Sequence, residues 1–132
     1  MKKNLSIEQL ENNHWGKVHF PTPLIEKCFN YRKIPVSQLT VEQVRLLISQ
    51  KIGVRFIISR AISFLEKNIL AEGDHYPGDL LSVIFNLSDE DWKHNLKERN
   101  RFTELIKQNE AKIEAIGNTE LIEKIKSLQS SL

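Results

Sequence analysis

The sequence lacks the residues needed for a disulfide framework or a cysteine metal site, because Cys28 is its single cysteine. One thiol cannot pair within the chain and offers no ligand spacing for zinc. A chain of 132 residues is long enough to bury a hydrophobic core without such links. We therefore expect one domain over residues 1–132, in the reducing cytoplasm, with Cys28 buried.

Long apolar runs are also missing. The most apolar region, residues 54–70, contains Arg55, Arg60, Glu66 and Lys67, so it predicts a buried helix and not a membrane span. The first residues resemble the charged opening of a signal peptide, but polar residues interrupt any apolar stretch after them. We expect neither secretion nor membrane association.

Net charge is small, at +2, which is far from the strongly basic surface that nucleic-acid binding requires. The distribution of charge is more informative. Residues 71–92 contain six acids and no Lys or Arg, whereas residues 32–60 contain six basic residues and one acid, Glu42. This pattern predicts an acidic surface that attracts a basic partner, although the two segments could also form salt bridges with each other.

Helix signals are frequent and strand signals sparse, which predicts an all-α fold of about six to eight helices. Ser6 with Gln9, and Thr40 with Gln43, form capping-box patterns typical of helix starts. Residues 55–68 are apolar around most of the helical circumference, so we expect them to form the central and most buried helix.

Two further helical regions are predicted. Pro23 follows Thr22 as a first helical residue would, and this helix should end before Pro35. The charged tail, residues 96–132, has a helical rhythm interrupted at residues 117–118, which predicts a C-terminal helical hairpin. The residues expected to be buried in the helix after Thr22 are Leu24, Ile25, Cys28 and Phe29.

Histidines raise the question of a metal or catalytic site. A helical zinc site needs ligands one turn apart with a carboxylate between them, and no histidine pair has this spacing. No serine lies in a Gly-x-Ser-x-Gly elbow, and no glycine-rich loop has the lysine needed to hold phosphate. The four histidines are His14, His19, His75 and His94.

Three classes of function remain open from the residues alone. A binding protein would use the acids of residues 71–92 to attract a basic partner. A small helical adaptor or nucleic-acid-associated regulator would use the basic residues between Arg45 and Arg60, but no aromatic platform accompanies them. A hydrolase would need Asp74 and Asp79 to meet across their loop as paired carboxylates, whereas turn and cap roles explain both.

We predict that the contact surface lies within residues 71–92. Exposed acids steer association with a basic partner, and aromatic side chains with a polar tip anchor an interface. Asp79 is a weaker candidate because it lies at a helix start, where an acid serves as a cap. The predicted contact residues are Glu72, Asp74, Tyr76, Asp89, Glu90, Asp91 and Trp92.

Three sequence blocks occur in a specific order. They are LExxxWG at residues 10–16, LTVExVRLLIxQxIG at residues 39–53 and LAEGDxYPGDLL at residues 70–81. Over residues 10–92 the chain thereby resembles the immunity proteins of bacterial contact-dependent growth inhibition (CDI) systems. The tail, residues 96–132, adds no motif to this resemblance.

The resemblance implies a cytosolic protein without catalytic activity and without a cofactor. Such a protein binds the toxic C-terminal domain of a large secreted effector that a neighbouring cell delivers, and thereby neutralises it. Many of these toxins are nucleases, so the implied partner is a nuclease domain bound in a one-to-one complex. Direct contact with nucleic acid or with a membrane is not implied.

We expect the purified protein to bind no stoichiometric zinc and to cleave no nucleic acid, because no histidine pair or carboxylate cluster has ligand spacing. Elemental analysis and a nuclease assay measure both properties. One equivalent of tightly bound metal that is lost in a His75→Ala variant, and retained in a His94→Ala control, would contradict this expectation.

Overall fold

A computed structural model describes residues 4–12 and 22–130, and these ranges are all-α, as predicted. They contain eight α-helices, one short 3-10 turn at Val36–Gln38, and no strand. His14, His19 and Trp15 of the first sequence block lie outside the described ranges. The helices are α1 (Ile7–Glu11), α2 (Pro23–Tyr31), α3 (Val41–Ser49), α4 (Val54–Lys67), α5 (Asp79–Phe85), α6 (Asp89–Trp92), α7 (Leu96–Ala115) and α8 (Thr119–Ser130).

Side-chain caps determine where the early helices begin, and both predicted capping boxes are confirmed. At α1, the Ser6 hydroxyl accepts the Gln9 N–H at 3.3 Å, and the Gln9 side-chain oxygen accepts the Ser6 N–H at 3.0 Å. Thr40 and Gln43 make the equivalent bonds at α3, at 3.2 and 2.9 Å. Each box satisfies two backbone donors that a helix start would otherwise leave unpaired. Thr22 caps α2 as predicted.

Helix α4 is the centre of the hydrophobic core, as the prediction for residues 55–68 required. It packs against α3 and α7 and also contacts α1 and α6. Its inward residues are almost completely excluded from solvent, because Ile58 is 1% exposed and Ile62 is 0% exposed. Apolar side chains from the other helices complete a shared core around it. The buried residues of α4 are Val54, Ile57, Ile58, Ala61, Ile62 and Leu65.

Helix α2 differs from the sequence prediction in its first turn. Cys28 and Phe29 are buried as predicted, and burial raises the pKa of the Cys28 thiol. The prediction that Leu24 and Ile25 are buried is wrong, because each is 38% exposed. The main contact of α2 is with α3. Only the second half of α2 reaches the core, so its first turn presents two aliphatic side chains to solvent.

The C-terminal hairpin is confirmed. Helices α7 and α8 pack together, and Gly117 in the connection has a positive φ of 70°, which glycine adopts without strain. Leu121 and Ile125 of α8 are buried, so this charged tail contributes to the core. Within α7 the backbone leaves helical geometry at Asn109, whose side chain donates to the Leu105 carbonyl at 2.8 Å.

Replacing Ile62 with Ala should lower the free energy of unfolding by about 2 to 5 kcal/mol, because the substitution leaves a cavity in the core. Chemical denaturation followed by circular dichroism measures the change. Ser59→Ala, on the exposed side of the same helix, is the matched control and should change stability by no more than about 0.5 kcal/mol. Equal stability of the two variants would show that α4 is not the core helix.

Candidate binding surface

The loop between α4 and α5 exposes three of the predicted contact residues together. Glu72 and Asp74 lie on its surface, and Tyr76 is 37% exposed. Pro77 and Gly78 end the loop, and Gly78 has a positive φ of 89° immediately before α5 begins. The segment of residues 72–78, named the acidic loop below, therefore holds two carboxylates and an aromatic side chain on one short stretch of surface.

Asp79 holds the acidic loop against the start of α5. Its side chain is 2% exposed, and its carboxylate accepts the backbone N–H of Gly73 at 2.7 Å and of His75 at 3.1 Å. A carboxylate at a helix start is also favoured by the helix dipole. Asp79 thus fixes the backbone of the acidic loop, which explains why this acid is unavailable as a surface charge.

A second carboxylate holds the same loop from α3. The Glu42 carboxylate accepts hydrogen bonds from Nε and Nη2 of Arg45, each at 2.6 Å. Its Oε1 also accepts the backbone N–H of Asp74 at 2.9 Å. The Nε of Arg45 lies 3.9 Å from Oδ2 of Asp79. Arg45, which is 9% exposed, therefore neutralises both carboxylates that bind the loop backbone.

The ionisation of this pair follows from its hydrogen bonds. The bond from Arg45 holds the pKa of Glu42 below its ordinary value, and the bond from the Asp74 backbone acts in the same direction. Conversely, the bond to Glu42 raises the pKa of Arg45. Both groups are therefore charged throughout the neutral pH range, and the acidic loop retains its support there.

Gly73 lets the loop backbone approach these carboxylates. A Cβ atom at this position would lie 2.3 Å from Oε1 of Glu42 and 3.2 Å from Oδ2 of Asp79. The first distance is too short for a real contact, so any other residue would displace the Glu42 carboxylate or the loop and break the contact between them. The Glu-Gly-Asp sequence at residues 72–74 thus places glycine at the point of closest approach, between two exposed acids.

Apolar side chains flank the acidic loop on both sides. A cleft of about 260 Å³ separates it from α2, and Leu24 and Lys27 line this cleft together with Asp74 and His75. On the other side, Ile116 is 39% exposed and its Cδ1 would lie 3.8 Å from a Cβ on Gly78. Acids beside partly exposed apolar groups match the composition of protein interfaces, in which apolar anchors are surrounded by polar residues.

The predicted contact acids on α6 lie in a different environment. Asp89 accepts Nη2 of Arg99 at 2.6 Å, and Glu90 pairs with Lys93. These bases neutralise much of the charge that the two acids would otherwise present. The acids of residues 71–92 are thus segregated along the sequence, but those of α6 are paired in space with bases from outside that segment.

Asp91 and Trp92 serve the fold. Asp91 caps α6 with Ser88 and lies 2.5 Å from Nζ of Lys51, whose hydrogen bond lowers the pKa of Asp91. Trp92 is 3% exposed and its ring lies 5.8 Å from that of Phe102 in the core. A partner cannot reach such a side chain without unfolding of its surroundings, so we correct the prediction and remove Trp92 from the contact residues.

Comparison with known families identifies the protein class. The family of CDI immunity proteins matches residues 9–102. The chain belongs to this family. The match confirms the resemblance seen over residues 10–92, and it includes the acidic loop with Glu42, Arg45 and Asp79. No curated protein and no solved structure matches the chain.

Sequence reasoning missed the residues that position the acidic loop in this CDI immunity protein. Both residues lie in the sequence block at residues 39–53, and Arg45 also belongs to the bases of the nucleic-acid alternative, but neither was predicted to contact the loop. The three-residue spacing of Glu42 and Arg45 on a helix was the available signal, because residues so spaced are neighbours on the helix surface. Their contact with residues 73–79 depends on the packing of α3 against α5, which no local pattern shows.

The arrangement also bears on the alternatives to binding. Both oxygens of Asp79 bind backbone N–H groups while Asp74 is exposed, so these acids do not form the paired carboxylates of a hydrolase. Among residues 4–12 and 22–130, no three His, Cys, Asp or Glu side chains are grouped to hold a metal. None of the helices in these ranges is long and apolar enough to cross a membrane.

We expect Glu42→Gln to lower the free energy of unfolding at pH 7 and to make this free energy depend less on pH in the acid range. A pKa lowered by folding means that the unfolded state binds more protons, so the free energy of unfolding increases with pH in this window. The contribution of Glu42 is complete above its ordinary pKa of 4.5 and is lost as pH falls through the lower pKa of the folded state. Urea denaturation between neutral pH and the acid transition measures it.

Glu72→Gln is the matched control for Glu42→Gln, because it removes an equal charge from an exposed position on the loop. We expect about 1 to 3 kcal/mol of destabilisation from Glu42→Gln at pH 7 and little change from Glu72→Gln. The same loss of stability in both variants would contradict the role assigned to the bond between Glu42 and Arg45.

Proposed function

We propose that the protein neutralises the toxic C-terminal domain of a CDI effector by binding it in a one-to-one complex. Membership of the CDI immunity protein family supports the class of partner. The proposal assigns binding alone to the protein, with no catalytic step and no cofactor. The partner is the toxin domain encoded with this immunity protein, and the binding face is the acidic loop with its apolar neighbours.

The observation that carries the proposal is that the exposed acids are supported by a fixed backbone. Glu72 and Asp74 form no ion pair with any residue in the described ranges. Three successive backbone N–H groups, those of residues 73–75, bind the carboxylates of Asp79 and Glu42. A surface ordered before binding loses less conformational entropy in the complex, which favours affinity.

We further propose that the toxin is a nuclease. Its active site must then be basic, because it holds the phosphates of its substrate. Glu72 and Asp74 have the charge that such a surface attracts, so they would accelerate the encounter and compete with nucleic acid. Tyr76 and Leu24 would then bury apolar surface against the toxin and slow dissociation. Neutralisation would result from steric occlusion of the active site.

Within this proposal the acids of α6 have a smaller part. Asp89 and Glu90 are exposed and lie in the predicted set, but each already has a basic partner. An ion-paired carboxylate attracts a basic partner less strongly than an unpaired carboxylate does. Asp91 and Trp92 act indirectly, by keeping α6 folded.

Association kinetics with the purified toxin domain test the proposal. We expect the Glu72→Gln and Asp74→Asn double variant to associate about tenfold more slowly at low salt and to show a weaker salt dependence. The Asp89→Asn and Glu90→Gln double variant is the matched control, since it removes the same charge from α6. Tyr76→Ala should instead raise the dissociation rate by about tenfold or more, as expected for an interface anchor.

Each part of the proposal has its own contradicting outcome. Equal reductions of the association rate in the two double variants would contradict a binding face on the acidic loop. A toxin domain that cleaves no nucleic acid alone would refute the nuclease assignment while leaving the binding surface intact. A folded protein that leaves toxin activity unchanged at equimolar concentration would refute neutralisation itself.

A further inference from the structure

A second surface, separate from the acidic loop, lies along the exposed side of α4. It is a groove of about 620 Å³ between α4, the 3-10 turn and the first described residues. None of its lining residues belongs to the acidic loop or to the cleft beside it. Its apolar lining comes from Leu5, Leu10, Val36 and Phe56, and two arginines, Arg55 and Arg60, stand among these side chains.

These two arginines differ from the other arginines of the chain. The sequence has six arginines, and four of them pair with a carboxylate of the protein. Every Asp and Glu of the sequence lies within the described ranges, yet neither Arg55 nor Arg60 forms an ion pair there. The four paired arginines are Arg32, Arg45, Arg99 and Arg101.

Both unpaired guanidinium groups are held in place by other contacts. Arg55 lies over the ring of Phe56, and Arg60 lies over the ring of Phe64, each at 4.7 Å from the ring centroid. Nε of Arg60 also donates to the Leu39 carbonyl at 2.8 Å. A guanidinium stacked on a ring keeps donors at its edge for a bidentate bond to a carboxylate. The groove therefore presents two ordered cationic groups beside apolar surface.

We propose that this groove binds a segment of a partner protein in which acidic side chains alternate with apolar ones. Arg55 and Arg60 are about 7.5 Å apart along the axis of α4 and about 140° apart around it, and both line the groove. Because the two guanidinium groups stand among apolar side chains, a segment that carries carboxylates between apolar residues matches both kinds of lining. Apolar side chains of the segment pack on Leu5, Leu10 and Val36.

The same contacts favour a polypeptide over a single-stranded nucleic acid. Nucleic-acid grooves combine positive charge with aromatic faces on which bases stack. In this groove the face of Phe56 already carries the guanidinium group of Arg55, and the remaining apolar lining is aliphatic. This binding is independent of the function proposed for the acidic loop, because the two surfaces share no residue.

Fluorescence anisotropy with a labelled peptide in which Glu and Leu alternate tests the proposal on the full chain. A peptide with Gln in place of Glu is the matched probe, and we expect it to bind about tenfold more weakly or worse. Arg55→Gln should weaken binding of the Glu peptide by about tenfold as well. Lys67→Gln, which removes the same charge from the same helix outside the groove, should leave the affinity unchanged.

Ser59→Glu provides a second variant that leaves both arginines in place. Ser59 is exposed and lines the groove, so a carboxylate there would compete for the guanidinium groups and abolish peptide binding. Equal affinity for the Glu and Gln peptides, or unchanged affinity in Arg55→Gln, would overturn the proposal. So would a single-stranded oligonucleotide that binds more tightly than the Glu peptide and is released by Ser59→Glu.

Discussion

The placement of Arg45 between the carboxylates of Glu42 and Asp79 is the interaction on which the candidate binding surface depends. Two acids this close to each other and largely removed from water would repel one another without a shared cation. With Arg45 between them, both carboxylates accept backbone N–H groups from the acidic loop. The position of the exposed acids therefore follows from a largely buried ion-paired group and not from the loop sequence alone.

Local patterns predicted the parts of the fold that local physics determines. The capping boxes of Ser6 and Thr40 require only residues three positions apart, and the core face of α4 is visible in its apolar period. The exposure of Leu24 and the pairing of Lys51 with Asp91 depend on how distant segments pack. Sequence alone therefore predicted the helices and the exposed acids of the loop, but not which acids already had partners.

The small net charge conceals an uneven distribution of unpaired charge. Ion pairs such as those of Arg99 with Asp89 and Arg101 with Glu66 join helices, and their opposite charges largely cancel at the surface. What remains unpaired includes the acids Glu72 and Asp74 on one surface and the bases Arg55 and Arg60 on another. The two surfaces have opposite charge, so each would attract partners of a different charge.

The acidic loop is held in place through its backbone, which leaves its exposed side chains free to vary. Asp74 and His75 are bonded to the protein through their backbone N–H groups, which every residue except proline possesses. The side chains of Glu72, Asp74 and Tyr76 can therefore be exchanged while Glu42, Gly73 and Asp79 keep the backbone path unchanged. In the binding mode proposed above, the residues that hold the loop are distinct from those that contact the partner, so new partner preferences could arise there at little cost in stability.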